Sequence, residues 1–263
     1  MNLGIQEKTA IICASSKGLG KACALMLSQE GVNVVICSRN YENALQTAQE
    51  IQKETNNPTL AVACDLNDAT SREELVKKTL ERFSTIDILV TNVGHPSHGG
   101  LHALHKNDWD LGYQNILYPS VHLCQMVIPH MQKSKWGRIV NISSYVVKMP
   151  NPKYLISTVF RTSLLALSQA LSQEFGPDGI LVNTVCPSLF RTPLGERLMK
   201  KWAEQANKTV EEIEAEKADI TQLKRIGEPE DLASLVTFLC SEMASYITGQ
   251  SILLDGAQSK HLL

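Results

Sequence analysis

The first stretch whose residue types and spacing bear on chemistry is "CASSKGLGKA", residues 13–22, a glycine-rich turn between a β-rich run and a helix-spaced segment. Gly18 and Gly20 let the backbone come close to a pyrophosphate, and the helix that follows turns its free N–H groups and positive end toward that charge. Such a turn is weak alone; behind a strand and ahead of a helix it is a much stronger signal. The second β-rich run ends "VICSRN" (35–40). A carboxylate there would accept from the adenosine ribose hydroxyls and favour NAD. The chain offers Ser38, Arg39 and Asn40 instead, with Lys17 inside the loop. Two cations without a carboxylate suit the extra 2′-phosphate of NADP, so the cofactor expected is NADP(H). The competing reading is an Arg39 that only faces solvent.

A second chemical stretch is "HPSHGGLHALH" (95–105). On a continuous helix His95, His98, His102 and His105 would share a face and could bind a metal. Pro96 and Gly99-Gly100 argue against that helix, so no metal is expected. The loop follows a strand, where α/β proteins bind ligands, and His95 is a candidate pocket residue or proton relay.

These residues need a scaffold, and the chain supplies one. Runs nearly continuous in Val, Ile, Leu and Cys recur at 9–14, 33–38, 59–65, 87–92, 137–143, 180–187 and 251–255. That pattern marks strands buried on both faces of a parallel sheet. Between them lie helix-spaced stretches such as Lys21–Gln29, Ala69–Phe83, Asp108–Met131 and Leu164–Phe175. Seven strands alternating with helices predict a Rossmann-type, doubly wound α/β fold in a single domain, 1–263. Residues 194–226 are polar and helix-prone and interrupt the rhythm before the last strand. An insertion there could close over a site, or could be a solvated helix pair.

The order of these motifs resembles the short-chain dehydrogenase/reductase family along essentially the whole chain. Its glycine loop T-G-x-x-x-G-x-G matches residues 13–20, with Cys13 and Ala14 replacing Thr and the first Gly. Its adenine-contacting aspartate matches Asp65, its N-N-A-G motif appears as Thr91-Asn92-Val93-Gly94, and its P-G motif appears as Pro187-Ser188. "GRIVNISS" (137–144) places the family's catalytic serine at Ser144, and the family's asparagine falls at Asn115, counted back from Pro129. Thr192 stands where the family grips the nicotinamide carboxamide, and residues 225–257 follow its C-terminal pattern. The resemblance thus implies a cofactor-binding set of Ser16, Lys17, Gly18, Leu19, Gly20, Ser38, Arg39, Asn40, Asp65, Leu66, Asn92, Gly94, Arg161, Pro187, Ser188 and Thr192.

The catalytic segment departs from that pattern. The family has a tyrosine thirteen positions after the serine and a lysine four further on; here those positions hold Ser157 and Arg161. Glu174, matching the family's glutamate, gives the same register, and no tyrosine of the chain has a lysine four residues later. A serine hydroxyl donates hydrogen bonds but is a poor acid, whereas a tyrosine of pKa about 10 can be tuned into one. Arg161 can clamp ribose hydroxyls and favour developing negative charge, but it does not release its proton. The family's dienoyl-CoA reductases also carry serine at the tyrosine position, with a tyrosine just after the serine strand. Tyr145 is one position off that arrangement, and Tyr154, a turn before Ser157, is a second candidate, with a helix start near Pro152. Tyr113 ranks lower. Halohydrin dehalogenases of the family carry arginine at the lysine position but have lost the dinucleotide loop, which this chain keeps.

The expected catalytic set is therefore Ser144, Asn115, Ser157, Arg161 and Tyr145. The expected activity is NADPH-dependent reduction of a small carbonyl compound, preferentially at a conjugated C=C bond, where negative charge collects on an oxygen that hydroxyls can stabilise. A ketone reductase with a relocated acid and a silent NADPH-binding protein are the alternatives. Lys+Arg 25 against Asp+Glu 27, without basic tracts, argues against nucleic acid or a membrane surface as partner. No secretory signal or long apolar run is evident, and the seven cysteines are scattered in apolar runs, as in a reduced cytoplasmic protein. The resemblance also implies homotetramers or homodimers, and "TSLLALSQALSQEFG" has the apolar helix surface that such packing requires.

Overall fold

The computed structural model describes residues 2–94 and 96–260. Seven parallel strands, β1 (Thr9–Ile12), β2 (Asn33–Ser38), β3 (Thr59–Ala63), β4 (Ile88–Asn92), β5 (Gly137–Ile142), β6 (Ile180–Pro187) and β7 (Ser251–Leu254), form one sheet. Their order is β3-β2-β1-β4-β5-β6-β7. The helices are α1 (Gly18–Gln29), α2 (Tyr41–Thr55), α3 (Ala69–Phe83), α4 (Lys106–Gly112), α5 (Tyr118–Ser134), α6 (Leu155–Phe175), α7 (Pro193–Ala206), α8 (Val210–Ile220) and α9 (Pro229–Leu239). This is the Rossmann-type α/β architecture expected from the alternating pattern.

The continuous apolar runs are explained by cover on both faces. Ala10, Ile12, Val34, Ile36, Val90 and Val140 pack on Cys23 and Leu27 of α1 and Leu232 and Val236 of α9. The intervening residues Ile11, Val35, Leu89 and Ile139 pack on Leu75 of α3 and on Leu123, Val127 and Met131 of α5. Each fully buried side chain of this size stabilises the fold by about 1.5–3 kcal/mol. All seven cysteines are buried free thiols within or beside these layers.

The sheet order reverses between β1 and β4, and at such a switch the loops leaving the carboxyl edge diverge and open a crevice. Strands are pinned to one another and to α6 below this crevice by a buried polar chain. Thr91 Oγ1 donates to Asn141 Oδ1 at 2.6 Å, and Asn141 Nδ2 donates to Ser168 Oγ at 2.8 Å. Ser168 Oγ in turn lies 2.7 Å from Thr184 Oγ1. The chain links β4, β5, α6 and β6, and so fixes the helix that carries Ser157 and Arg161.

The helix expected over Asp108–Met131 is broken. A π-helical turn, Tyr113–Leu117, separates α4 from α5, with the Tyr118 N–H on the Tyr113 carbonyl. Pro119, which lacks the N–H for an ordinary bond back to Asn115, falls in the first turn of the helix that follows. The helix with a start expected near Pro152 begins at Leu155, with Tyr154 as its N-cap residue rather than a member of its first turn. Among the described residues no helix is long and apolar enough to cross a membrane.

Candidate active site

The loop after β1 is shaped for close approach. Gly18 has φ +56°, and a Cβ on Gly20 would lie 2.6 Å from the Ala14 carbonyl oxygen, so both positions require glycine. Ala14, where the family has glycine, holds φ +48°. Ser15 braces the turn by donating to Ile12 O at 2.7 Å and accepting from Cys37 N at 3.1 Å, and Thr47 Oγ1 donates to Ser16 O at 3.0 Å. Leu19 packs against the core beside α9. Lys17, as N-cap of α1, and Arg39 are both exposed, and neither belongs to an ion pair among the described residues. Ser38 Oγ accepts from Asn40 N at 3.4 Å, and the Asn40 side chain caps α2 by accepting from Asn43 N at 3.0 Å.

After β3, Asp65 accepts from Asn67 N at 3.0 Å, and the buried Arg72 donates to the Leu66 carbonyl and to His122 Nδ1 at 3.0 Å. Arg72 therefore sets the backbone of the loop on which an adenine would lie. Across the crevice, Thr192 caps α7 by accepting from Gly195 N at 3.1 Å, and its Cβ would lie 3.5 Å from a Cβ on Gly18. Gly18 and Thr192 thus face each other across a narrow slot. The glycine turn at Gly18 and Gly20 and the exposed Lys17 and Arg39 fit a nicotinamide dinucleotide.

Arg161 is 5 % exposed. Its guanidinium donates to Ile142 O at 3.3 Å, Ser143 O at 3.1 Å and Gly94 O at 3.1 Å. No carboxylate pairs with it among the described residues, and burial pushes its pKa down to about 10, so it stays cationic at neutral pH. Arg161 ties the end of β5 to the turn after β4. Asn115, in the π-helical turn, lies against the same turn, its Cβ 4.0 Å from where a Cβ on Gly94 would stand. Gly94, Asn115, Ser143 and Arg161 are thereby brought together.

Ser157 is one turn before Arg161, buried to 9 % exposure, and its Oγ has no hydrogen-bond partner among the described residues. Ser144 leaves β5 in extended geometry and caps a 3₁₀ turn, Tyr145–Val147, by accepting from Val146 N at 3.4 Å. Cys186, buried under this turn, has its pKa pushed up to about 11 by burial, and is a structural thiol rather than a nucleophile.

Tyr145 lies beside Tyr154, and burial, reinforced by Tyr154, raises the Tyr145 pKa above that of an ordinary phenol. His98 stands edge-on to Tyr154 with ring centroids 5.0 Å apart. Burial and the nearby charge of Lys201 lower the His98 pKa. Tyr113 is outside this group, exposed and stacked on Tyr118. His95 lies outside the described residues. His102 falls in a short 3₁₀ turn and His105 caps α4, and among the described residues no group of three potential ligands could hold a metal ion.

A cavity of about 500 Å³ opens over Tyr145 and Tyr154. Its walls are His98, the Asn151–Tyr154 stretch, Ser188 and Leu189, and side chains from α7 and α8, including Leu198, Lys201, Trp202 and Lys217. Segment 194–226 thus contributes one wall of the cavity. It has its own small core of Met199, Ala203, Ile213 and Ile226. The lysines of this wall are residues that sequence reasoning missed. The available signal was positional: Leu198, Lys201, Trp202 and Gln205 follow i, i+3, i+4, i+7 spacing and so share one side of α7, next to its buried Met199 and Ala203.

The chain belongs to the short-chain dehydrogenase/reductase family. The family model described as Enoyl-(Acyl carrier protein) reductase matches residues 13–257. The chain is 34% identical over 260 residues to the human dehydrogenase/reductase SDR family member 4, covering 98% of this chain and 90% of that protein. It is 30% identical to the 3-oxoacyl-[acyl-carrier-protein] reductase FabG of Thermotoga maritima, over 96% of this chain and 98% of that one. Among solved structures it is similar to the L-sorbose reductase of Gluconobacter frateurii complexed with NADPH and L-sorbose. The TM-score is 0.95 at 28% identity, with full coverage of both chains. It is also similar to YwfH, an NADPH-dependent reductase involved in bacilysin biosynthesis, with TM-score 0.92 and 26% identity, over 97% of this chain and 99% of that one. The chain is accordingly a nicotinamide-dependent oxidoreductase of this family.

Proposed function

We propose that this chain is an NADPH-dependent reductase of a small carbonyl-conjugated substrate, acting at the C=C bond. The observation that carries this reading is the state of the two groups that would have to protonate a ketone oxygen. Arg161 is held by three backbone carbonyls, and the Tyr145 phenol is pushed up by burial with no cation lowering it. NADPH, when bound, supplies a hydride and leaves as NADP⁺. With the hydride on the β-carbon, the π pair moves onto the carbonyl oxygen as an enolate. Ser144, Ser157 and Tyr145 donate hydrogen bonds to that oxygen, Arg161 adds positive potential, and a proton from water then reaches the α-carbon. Asn115 holds the turn at Gly94 in place. The NADPH-bound sorbose reductase and the NADPH-dependent YwfH support the cofactor reading, together with the unpaired Lys17 and Arg39.

Segment 194–226 acts in this reading as a lid within a single domain. The chain works in the cytoplasm, to which its seven free thiols are suited, as a homodimer or homotetramer built on α5, α6 and β7. The test is NADPH consumption with matched pairs, each an enone and its saturated ketone. Turnover of the enones alone supports the reading, and good turnover of the saturated ketones overturns it. A second reading, direct ketone reduction, is favoured by the Tyr145–Tyr154–His98 contact and by relatives described as 3-oxoacyl and sorbose reductases. In that case Tyr145 delivers a proton to oxygen.

A further inference from the structure

The cavity above Tyr145 is sorted by charge. Three lysines line it, Lys153 from the stretch before α6, Lys201 from α7 and Lys217 from α8, and no aspartate or glutamate does. Segment 194–226 holds seven acidic and seven basic residues, so an even sampling of its surface would place both signs in the wall. Its acids are occupied or turned elsewhere: Glu214 pairs with Arg191, Glu216 with Lys208, and Asp219 with Lys224. Lys153, Lys201 and Lys217 are in no ion pair among the described residues. Lys217 is held over the Trp202 ring, 4.7 Å from its centroid, and Trp202 also lines the cavity.

Position makes the pattern sharper. On α7 the lining residues Leu198, Lys201, Trp202 and Gln205 form one helical stripe, and on α8 Lys217, Ile220 and Thr221 form another. Lys153, Lys201 and Gln205 are exposed at the open side of the cavity and Lys217 is half-buried, whereas the buried residues of these two helices are Gly195, Met199, Ala203 and Ile213. Three like charges gathered around one small space repel one another unless a ligand neutralises them. Asn151, Gln205 and Gln258 add amide groups to the same wall.

We infer that the substrate carries an anionic group, a carboxylate or a phosphate monoester, which Lys153, Lys201 and Lys217 hold under α7 and α8 while its conjugated carbonyl end lies toward Ser144 and Ser157. This inference rests on the reductase reading for the carbonyl end only. The lysine cradle is a specificity device of the lid, separate from the cofactor's phosphate contacts at Lys17 and Arg39.

The experiment compares benzoylacrylate with its methyl ester as NADPH-coupled substrates, in wild-type enzyme and in Lys153→Gln, Lys201→Gln and Lys217→Gln. Calorimetric titration of the NADPH-saturated protein with benzoylpropionate, methyl benzoylpropionate and phenyl phosphate reports binding without turnover. The acid is expected to exceed its ester at least tenfold in kcat/KM. Each lysine substitution is expected to raise KM for the acid about tenfold, with the ester changing less than about twofold. Tighter binding of benzoylpropionate than of phenyl phosphate assigns the cradle to carboxylates, and the reverse order assigns it to phosphates. Equal use of acid and ester, or lysine variants that leave the ratio unchanged, overturns the inference while leaving conjugate reduction intact. Lysine-dependent binding of the saturated acid without turnover of any enone overturns the reductase reading and keeps the anion site. Absence of lysine-dependent binding to either anion overturns the inference.

Discussion

Replacing Arg161 with lysine restores the family's residue, and the structure predicts a pH-dependent penalty. The arginine fork reaches Gly94 on one side and Ile142 and Ser143 on the other. A lysine ammonium on its narrower head cannot serve both sides, and the lost charged hydrogen bonds cost about 1.5–3 kcal/mol, or roughly 3–10 °C in Tm for a chain of this size. The site also disfavours charge: burial pushes the Arg161 pKa down to about 10. The same desolvation acting on a lysine of ordinary pKa about 10.4 puts it near about 8 in the folded protein.

Between those two values the unfolded chain holds a proton that the folded chain has released. Stability of Arg161→Lys relative to wild type therefore rises with pH across that window, by up to about 1.4 kcal/mol per pH unit. Below about pH 8 both states are charged and the penalty is full. Wild type keeps its guanidinium charged across this window and has no corresponding change. Thermal melts of both proteins from about pH 7 to about pH 10 measure the difference, in which all other titrating groups cancel. A Tm difference that does not change with pH would refute the claim that Arg161 is a desolvated cation without a counter-charge.

Three further outcomes follow from the site. Arg39→Asp places a carboxylate beside the adenosine ribose and removes a phosphate partner. NADPH fluorescence titration should show Kd rising about a hundredfold while Kd for NADH stays the same or falls. Ala14→Gly relieves a non-glycine residue at φ +48° on an exposed turn and should raise stability by about 0.5–1 kcal/mol, read as a Tm increase of about 1–4 °C. Tyr145→Phe removes a hydrogen-bond donor and should lower kcat for an enone roughly a hundredfold. Because burial raises the Tyr145 pKa, the phenol stays protonated through neutral pH. The pH profile should therefore keep its shape, and a neutral-range inflection that vanishes in Tyr145→Phe would instead mark Tyr145 as a titrating acid.

The elements nearest the sheet were the most legible. β2, β6 and α3 fall where the residue patterns put them, because buried strands and a capped amphipathic helix carry their signals locally. The break at Tyr113–Leu117 is a change in backbone hydrogen bonding, which apolar periodicity does not register. The glycine cradle was readable, since Gly18 and Gly20 have a single physical use there. The fate of the Arg161 guanidinium was not, because its partners are backbone carbonyls far apart in sequence. The contact of Tyr145, Tyr154 and His98 was foreshadowed by their positions after β4 and β5, but only folding shows that the three meet. The lysine-lined wall was hidden by averaging: a charge-balanced insertion reads as a solvated surface until folding shows which of its residues line the cavity.

The claim at the centre of this account is that hydride goes to carbon of a C=C bond and not to a carbonyl carbon. The most direct measurement uses NADPH deuterated at the transferring position with an enone, followed by NMR of the product. The account predicts deuterium on the β-carbon of a saturated ketone. Deuterium on a carbinol carbon, with the double bond intact, would contradict it.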